Sequence, residues 1–387
     1  MSLVLQTSEG FVLCHPNYLR RLYSSTRTES VLVKLEPHHH LFDVNTPYMR
    51  DAAARKKARG DTVSGSQCSK GLKRKFTEIS IEKQTDLQID RIKNTLYRLV
   101  KGAQHLDYFT FIPSASDIMN NNKDARMLSE NLYKETDDCI QAPFNGENNT
   151  DEALLKRLGL QTFVFPPRCR FYCRDVGEMK DYVEPLGQFD LILLDPPWWN
   201  KYIRRKKAKC RQDGYNMMYN HTLGELPLNM LLAPGGIIAV WCTNSTNHLE
   251  ELKNKLFPAW GTEQIAQWAW LKVTKSGEPV CPFSDPPGKQ PFEQLIFGVR
   301  PEEANVLSRP EDGKVFLSVP SAIHSHKPPV SEMLQTYLPP EPRCLEIFAR
   351  YLLPNWTSWG LEVIKLQHSS LFREEALIAG DSASQAT

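Results

Sequence analysis

The chain has 387 residues, of which 41% are hydrophobic and 24% charged, and 47 basic against 45 acidic side chains leave a formal net charge of +2. That composition describes a soluble globular protein with a real core, built as one large domain with an appendage or as two domains. Near-neutral charge confines any nucleic-acid affinity to local patches, and no apolar run approaches the ~20 residues that a bilayer crossing needs.

In chain order, the N-terminal segment (1–50) opens "MSLVLQTSEGFVLCHPNYLRR". Polar residues interrupt its apolar ones and no basic leader precedes them, so no secretory signal is expected. The nine cysteines, from Cys14 to Cys344, show no paired metal-ligand spacing; they read as reduced core thiols. The His38–His40 run reads as a surface tract, and no metal is expected. Residues 51–80 are polar and basic, which predicts an exposed linker. Its clusters Arg55-Lys56-Lys57 and Lys73-Arg74-Lys75 resemble a bipartite nuclear-import signal, pointing to the nucleus with the cytoplasm as a second compartment; a solvated basic loop is the competing reading. Residues 81–155 form a helical region with a polar loop. Leu87, Ile92, Leu96 and Leu99 recur near helical spacing and predict an amphipathic helix over 84–101 that docks on another element. The Asn-rich stretch "MNNNKDARMLSENLYKETDDCIQAPFNGENNTDEA" reads as a surface excursion.

From about residue 160 strands alternate with helices. "TFVFPPRCRFYCRD" holds one short strand and "FDLILLD" a second; "LGELPLNMLLA" reads as a helix stopped by "PGG", followed by the strand "IIAVWC". "QLIFGV" and "RCLEIFA" add two more, with a helix "SEMLQTYL" between them. All eight tryptophans lie at or after Trp198, marking this half as the main domain. Apolar strands without strict alternation, separated by helices, predict an α/β fold with a parallel sheet covered on both faces. Such sheets bind ligands beyond the carboxyl ends of their strands, which places Asp175, Asp195 and Glu346 on one rim.

"FDLILLDPPWWN" (189–200) carries the chemistry. A proline fixes its own φ, lacks an N–H and pushes the preceding residue away from helix. Asp195 with Pro196 and Pro197 therefore makes a stiff turn offering two acceptors, the Asp195 carboxylate and the Pro196 carbonyl, beside the Trp198 indole. Two acceptors and a stacking face suit the exocyclic amino group of a nucleobase: holding both N–H groups frees the nitrogen lone pair to meet an electrophile, and stacking adds ~1–3 kcal/mol. A turn aspartate with core prolines is the bland alternative.

"DPPW" after an apolar strand, "HSHKPP" (324–329), "LEIFAR" (345–350) and "PNWTSWGLEV" (354–363) together resemble the adenine-N6 methyltransferases related to the large subunit of the messenger-RNA adenosine methyltransferase. The resemblance covers roughly residues 160–368. It implies a Rossmann-like S-adenosylmethionine-dependent methyltransferase sheet with permuted motif order over 156–370, followed by a tail (371–387). It implies that Asp195, Pro196, Pro197 and Trp198 are catalytic. By the same resemblance Asp175 and Val176 meet the cofactor adenine, Glu346 and Arg350 its ribose, and Lys327 its carboxylate or the catalytic centre, with Asp195 and Glu362 beside it. Trp270, Lys272 and Glu293 resemble lining of the substrate pocket; a strand tryptophan is more often core. Leu361 stands where the family often carries Asn, and "RYLLPNW" is shorter than the corresponding loop of the messenger-RNA enzyme, so its His-Asn cofactor contacts have no match. Trp199 has no derivable role.

After Asn200 come Lys201, Arg204, Arg205, Lys206, Lys207, Lys209 and Arg211, a basic loop placed for phosphates, with Tyr202 and Tyr215 able to stack on bases. A target adenine must be unpaired or flipped. One branch of the family, matched by the C-terminal motifs, implies RNA, specifically an internal 2′-O-methyladenosine of U2 small nuclear RNA, with DNA adenine as the rival substrate. A catalytically silent RNA-binding subunit and an N4-cytosine methyltransferase remain open readings. No obligate protein partner and no membrane association are indicated.

Overall fold

The apolar runs become strands in the computed structural model of the protein, which describes residues 2–48, 76–135, 142–198, 220–284, 288–301 and 308–376. In chain order the strands are β1 (Leu3–Thr7), β2 (Gly10–Leu13), β3 (Thr26–Arg27), β4 (Leu32–Pro37), β5 (Phe144–Glu147), β6 (Ala153–Leu158), β7 (Gln161–Phe165) and β8 (Arg170–Cys173). They continue with β9 (Phe189–Leu194), β10 (Leu232–Cys242), β11 (Glu263–Lys272), β12 (Phe292–Val299), β13 (Val315–Ser318), β14 (Cys344–Ile347), β15 (Trp356–Trp359) and β16 (Phe372–Ala376). The helices used below are α1 (His15–Leu22), α2 (Phe76–Gln104), α3 (Ala115–Asn120), α4 (Lys123–Glu135) and α5 (Thr246–Glu251).

Among the described residues, eleven strands form one sheet in the order β1-β2-β13-β11-β12-β10-β9-β14-β15-β8-β5, and five form a second, β16-β4-β3-β6-β7. The α/β reading holds, and β10, β9, β14, β15 and β8 are mutually parallel. The wholly parallel sheet does not: β12 runs against both β10 and β11. Leu191 to Leu194 are each 2% exposed or less because both faces are covered. Leu191 and Leu193 face one core cluster with Ala239 and Trp241; Ile192 and Leu194 face the other with Ile238, Leu345 and Ile347. That two-sided burial is why the run lacks alternation.

Several elements differ from the sequence reading. "TFVFPPRCRFYC" makes two strands, β7 and β8, which go to different sheets across the Pro166-Pro167 turn. The expected helix before "PGG" is two short turns, Asn220–Gly224 and Leu228–Leu231, because Pro227 disfavours helix at Leu226. β10 then runs straight through Pro234-Gly235-Gly236 with an irregular register between Leu232 and Ile237. Gly235 takes φ +72°, and a Cβ on Gly236 would stand 2.9 Å from the Ala233 carbonyl oxygen and 3.0 Å from that of Phe189, so glycines here permit a bulge where a helix stop was read.

The N-terminal segment contributes β2, parallel to β13, and β1 to the large sheet. The amphipathic stripe of α2 is offset from the expected one. Leu87 is 73% exposed, whereas Ile89, Ile92, Leu99 and Ala103 are buried; Ile92, Leu99 and Ala103 pack with Val12, Leu271, Val315 and Leu317. The Asn-rich excursion is largely helical. Ser114 and Asp117 form a capping box on α3, Asn121 and Asn122 turn the chain at φ +46° and +59°, and buried Asn122 bonds the backbone of Asn45 and Thr46. Asparagine tolerates that left-handed backbone, so these residues turn the chain between α3 and α4 and staple it to residues 45 and 46. Among the described residues no helix is long and apolar enough to cross a membrane.

Candidate active site

The rim expected from the sequence exists. β9, β14, β15 and β8 all end on one side of the sheet, and Asp195 follows β9 with its N–H on the Ile347 carbonyl at 3.3 Å. The β14 and β15 exits nest tightly: Phe348 takes φ +63°, and a Cβ on Gly360 would lie 3.0 Å from the Ala349 carbonyl oxygen, so a side chain there would press on that backbone.

Two residues far away in sequence grip Asp195. Ser325 Oγ donates to Asp195 Oδ2 at 3.0 Å, from a backbone at φ +60°. Lys327 Nζ lies 3.2 Å from Asp195 Oδ1 and donates to Glu293 Oε2 at 2.8 Å. Glu293 is paired on its other oxygen with Lys272. Burial by itself pulls the Lys327 ammonium down, but Asp195 and Glu293 outweigh it and raise its pKa. Burial likewise pushes Glu293 up, and Lys327 with Lys272 overturns this, holding its carboxyl below the usual range. The outcome is an alternating row of charges, Asp195–Lys327–Glu293–Lys272, in which each buried charge has an opposite neighbour.

Glu346 sits in register with Leu193 of β9 and Ser358 of β15. It is 3% exposed, and neither its Oε2 nor Ser358 Oγ has a hydrogen-bond partner among the described residues. Burial first and the Asp195 charge second raise its pKa from 4.5 to about 8, against the pull of Lys327. A buried acceptor without a protein donor is costly and suits a ligand that brings hydroxyls. The Glu346→Gln substitution tests this. For an acid with a raised folded pKa, the folded state holds the proton more tightly, so its contribution to stability is complete below about 4.5 and lost as pH rises through about 8. The glutamine variant is expected to be more stable than wild type at pH 8.5 and little changed at pH 4.5, in urea midpoints at the two pH values. Equal midpoint differences at both would show that the carboxyl is not strained.

Asp175 lies on the same rim beyond β15, but its carboxylate caps Gly177 N–H at 2.8 Å and its carbonyl accepts from the Trp359 indole at 3.1 Å. Its side chain is exposed while Val176 is buried. Arg350 Nη1 donates to the His324 carbonyl at 3.2 Å, and its Nε lies 3.4 Å from Glu362 Oε2. Lys365 holds the other Glu362 oxygen at 3.0 Å, so Glu362 orients Arg350. Leu361 is 52% exposed.

Two expected roles change. Trp198 is 8% exposed; its indole N–H donates to the Trp241 carbonyl at 2.7 Å and its ring lies 5.1 Å from that of His248 on α5. It anchors the turn in the core where an open stacking face was expected. Trp198 N–H also donates to Pro196 O at 2.8 Å, so that carbonyl keeps one of its two lone pairs for a ligand, not both. Trp270 is 2% exposed, with its N–H on Ser318 Oγ at 2.9 Å and its ring 5.5 Å from that of Trp241. It is a core residue in this structure and supports Lys272, whose Nζ lies 4.6 Å from its ring centre. Asn200, Lys201, Arg204, Arg205, Lys206, Lys207 and Tyr215 lie outside the described residues. Ser325, Ser358 and Trp241 were not singled out in the sequence; Ser325, inside "HSHKPP", and Ser358, inside "PNWTSWGLEV", carried a signal. At the His38–His40 run, the donor atoms of His39, His40 and Asp43 lie within 4.8 Å of one another, yet His40 and Lys275 already occupy the Asp43 oxygens. Cys14, Cys169, Cys173, Cys242, Cys281 and Cys344 are buried and form no disulfide among the described residues.

Comparison with known proteins gives the same region. Residues 189–362 match the MT-A70 family model. The chain is 39% identical over 235 residues to the N(6)-adenine-specific methyltransferase METTL4 of Homo sapiens, covering 58% of this chain and 48% of the relative. It is 39% identical over 215 residues to the N6-methyladenosine RNA methyltransferase MTA1 of Cryphonectria parasitica, covering 54% and 63%. It is 36% identical over 211 residues to the DNA N6-methyl methyltransferase of Caenorhabditis elegans, covering 54% and 55%. The chain spans about half the length of the curated relatives it matches.

Proposed function

We propose, from the match of residues 189–362 to the MT-A70 family model, that the protein is an S-adenosylmethionine-dependent methyltransferase acting on N6 of adenine in nucleic acid. One observation carries the reading: Asp195 is held by Ser325 and Lys327 at a sheet rim where buried Glu346 Oε2 has no donor among the described residues. Glu346 suits the ribose hydroxyls of the cofactor, which when bound supplies an electrophilic methyl group on a sulfonium. Arg350, beside Glu362, would support the same side, and the Asp175–Val176 edge would hold the adenine. Asp195 accepts one N–H of the target amino group and the remaining lone pair of Pro196 O the other. Ser325 and Lys327 fix the carboxylate before substrate arrives, so no reorganisation is needed at the moment of transfer. Asp195 is also the base placed to take the proton that the methylated nitrogen loses.

The substrate we favour is RNA, with an internal 2′-O-methyladenosine of U2 small nuclear RNA as the specific target, in the nucleus, and without an obligate protein partner. The name of the Cryphonectria relative supports RNA and that of the Caenorhabditis relative supports DNA. The test is nucleoside mass spectrometry after incubating the protein with matched RNA, 2′-O-methylated RNA and DNA oligonucleotides. N6-methylation greatest on 2′-O-methylated RNA is expected. Product on DNA alone would move the reading to DNA, and RNA binding with neither cofactor binding nor transfer would leave a silent subunit. Neutralising Arg204 to Lys207 is expected to weaken RNA binding and flatten its salt dependence by about 0.7 in log–log slope per lost phosphate contact. S-adenosylmethionine affinity, measured by calorimetry, should be unchanged; parallel loss of both would indicate misfolding.

A further inference from the structure

We propose that α4 braces the loop carrying Ser325 and Lys327, with Tyr133 as a positioning residue for the cofactor side of the site; this rests on the functional reading above. Ser325 holds φ +60°, a backbone that serine seldom adopts and that persists only where its surroundings over-determine it. Two routes from α4 reach the backbone just before it. In the first, Ser129 Oγ donates to the Ala322 carbonyl at 3.0 Å. Ala322 is fixed a second time by its own N–H on the Leu41 carbonyl at 2.6 Å.

The second route is a relay of charge. Lys365 is 3% exposed, so its ammonium has lost most of its water. The Tyr133 ring centre lies 3.8 Å from Lys365 Nζ and offers it a negative π face. On its other side Lys365 donates to Glu362 Oε1 at 3.0 Å, and Glu362 Oε2 lies 3.4 Å from Arg350 Nε. Arg350 Nη1 then donates to the His324 carbonyl at 3.2 Å. The planar guanidinium can point its remaining donors in one direction only if that carboxylate stays put, and the carboxylate stays put only if Lys365 does. The loop is thus gripped at Ala322 and at His324, immediately ahead of Ser325. Tyr133, Ser129 and Lys365 all lie outside residues 189–362, so a segment beyond the matched domain sets the geometry within it.

The experiment measures S-adenosylmethionine binding by calorimetry and methyl transfer at varied cofactor concentration, on the full chain. Tyr133→Leu is expected to raise both Kd and KM for the cofactor about tenfold, with kcat at saturating cofactor within about twofold of wild type. Tyr133→Phe keeps the ring face and should bind as wild type does. A merely structural role would lower the thermal midpoint while leaving Kd unmoved below the melting range. Lys365→Gln cuts the relay one step later and must weaken binding to a similar degree, which keeps the proposal testable if the leucine variant does not fold. A folded Tyr133→Leu or Lys365→Gln protein with wild-type Kd overturns the brace while the functional reading stands. A wild-type protein that binds no S-adenosylmethionine overturns both.

Discussion

The Asp195→Asn substitution is expected to lower methyl transfer by at least about 100-fold, the scale of losing one preorganised group at a reacting centre, while the protein stays folded. Asparagine keeps the size and the bond from Ser325, and it keeps one oxygen. It loses the charge that faces Lys327 at 3.2 Å, and its amide NH2 presents donors where the target amino group needs an acceptor. Lys327 retains Glu293 at 2.8 Å, so the buried cation is not orphaned and most of the stability should remain. Single-turnover transfer separates this loss from any change in binding, and cofactor affinity measured alongside should move much less than the rate. Transfer at the wild-type rate would sink the assignment of Asp195 as the central group.

Lys327→Met is expected to do more damage to the fold. The side chain is 7% exposed and stands between two carboxylates. Among the described residues, removing it leaves Asp195 with Ser325 and Glu293 with Lys272, and the charge uncovered between them is only partly open to water. Breaking a buried pair by deleting one partner costs about 3–5 kcal/mol, and the urea midpoint should fall accordingly. The pH dependence has a definite sign. In wild type the pKa of Glu293 is lowered by Lys327 and Lys272, so its stabilisation is complete above its ordinary value and lost as pH falls through the folded value. The variant has less of that stabilisation to lose, so the gap between the two proteins should be full at pH 7 and at pH 4 and close only in stronger acid, where Glu293 takes up its proton in the folded wild type. A gap that stays undiminished in that stronger acid would mean that packing, and not charge, is what Lys327 contributes. Methyl transfer should fall with the stability, because Asp195 is no longer held.

Much of this site was legible in the sequence because strand-end chemistry is local. The run Phe189–Leu194 announces a strand buried on both faces, and Asp-Pro-Pro can only be a stiff turn beyond it. The positions of Asp195 and Glu346 on one rim followed from the rule that parallel strands present their carboxyl ends together. Glu293 and Lys327 were named from motifs, although nothing in the spacing showed that they meet. The indoles were harder to read. Trp198 and Trp270 have the composition of a base platform, but an indole also fills a core well once its N–H finds a carbonyl or a hydroxyl, and here Trp241 O and Ser318 Oγ provide those partners. The Asn-rich stretch misled for a related reason: asparagine serves turns, caps and surface loops alike, and only packing separates them.

By itself the sequence determined the α/β class and the identity of the strand that delivers Asp195, and its motifs carried a family resemblance, all of which rest on periodicity or on residues adjacent along the chain. The tertiary structure decided which charges neutralise one another, which tryptophans belong to the core, and that α4, between the N-terminal segment and the matched domain, reaches the active-site loop. Those outcomes depend on contacts between residues 21 to 193 positions apart and on which polar atoms are left without water. A pattern of residue types cannot express either until the chain has closed around them.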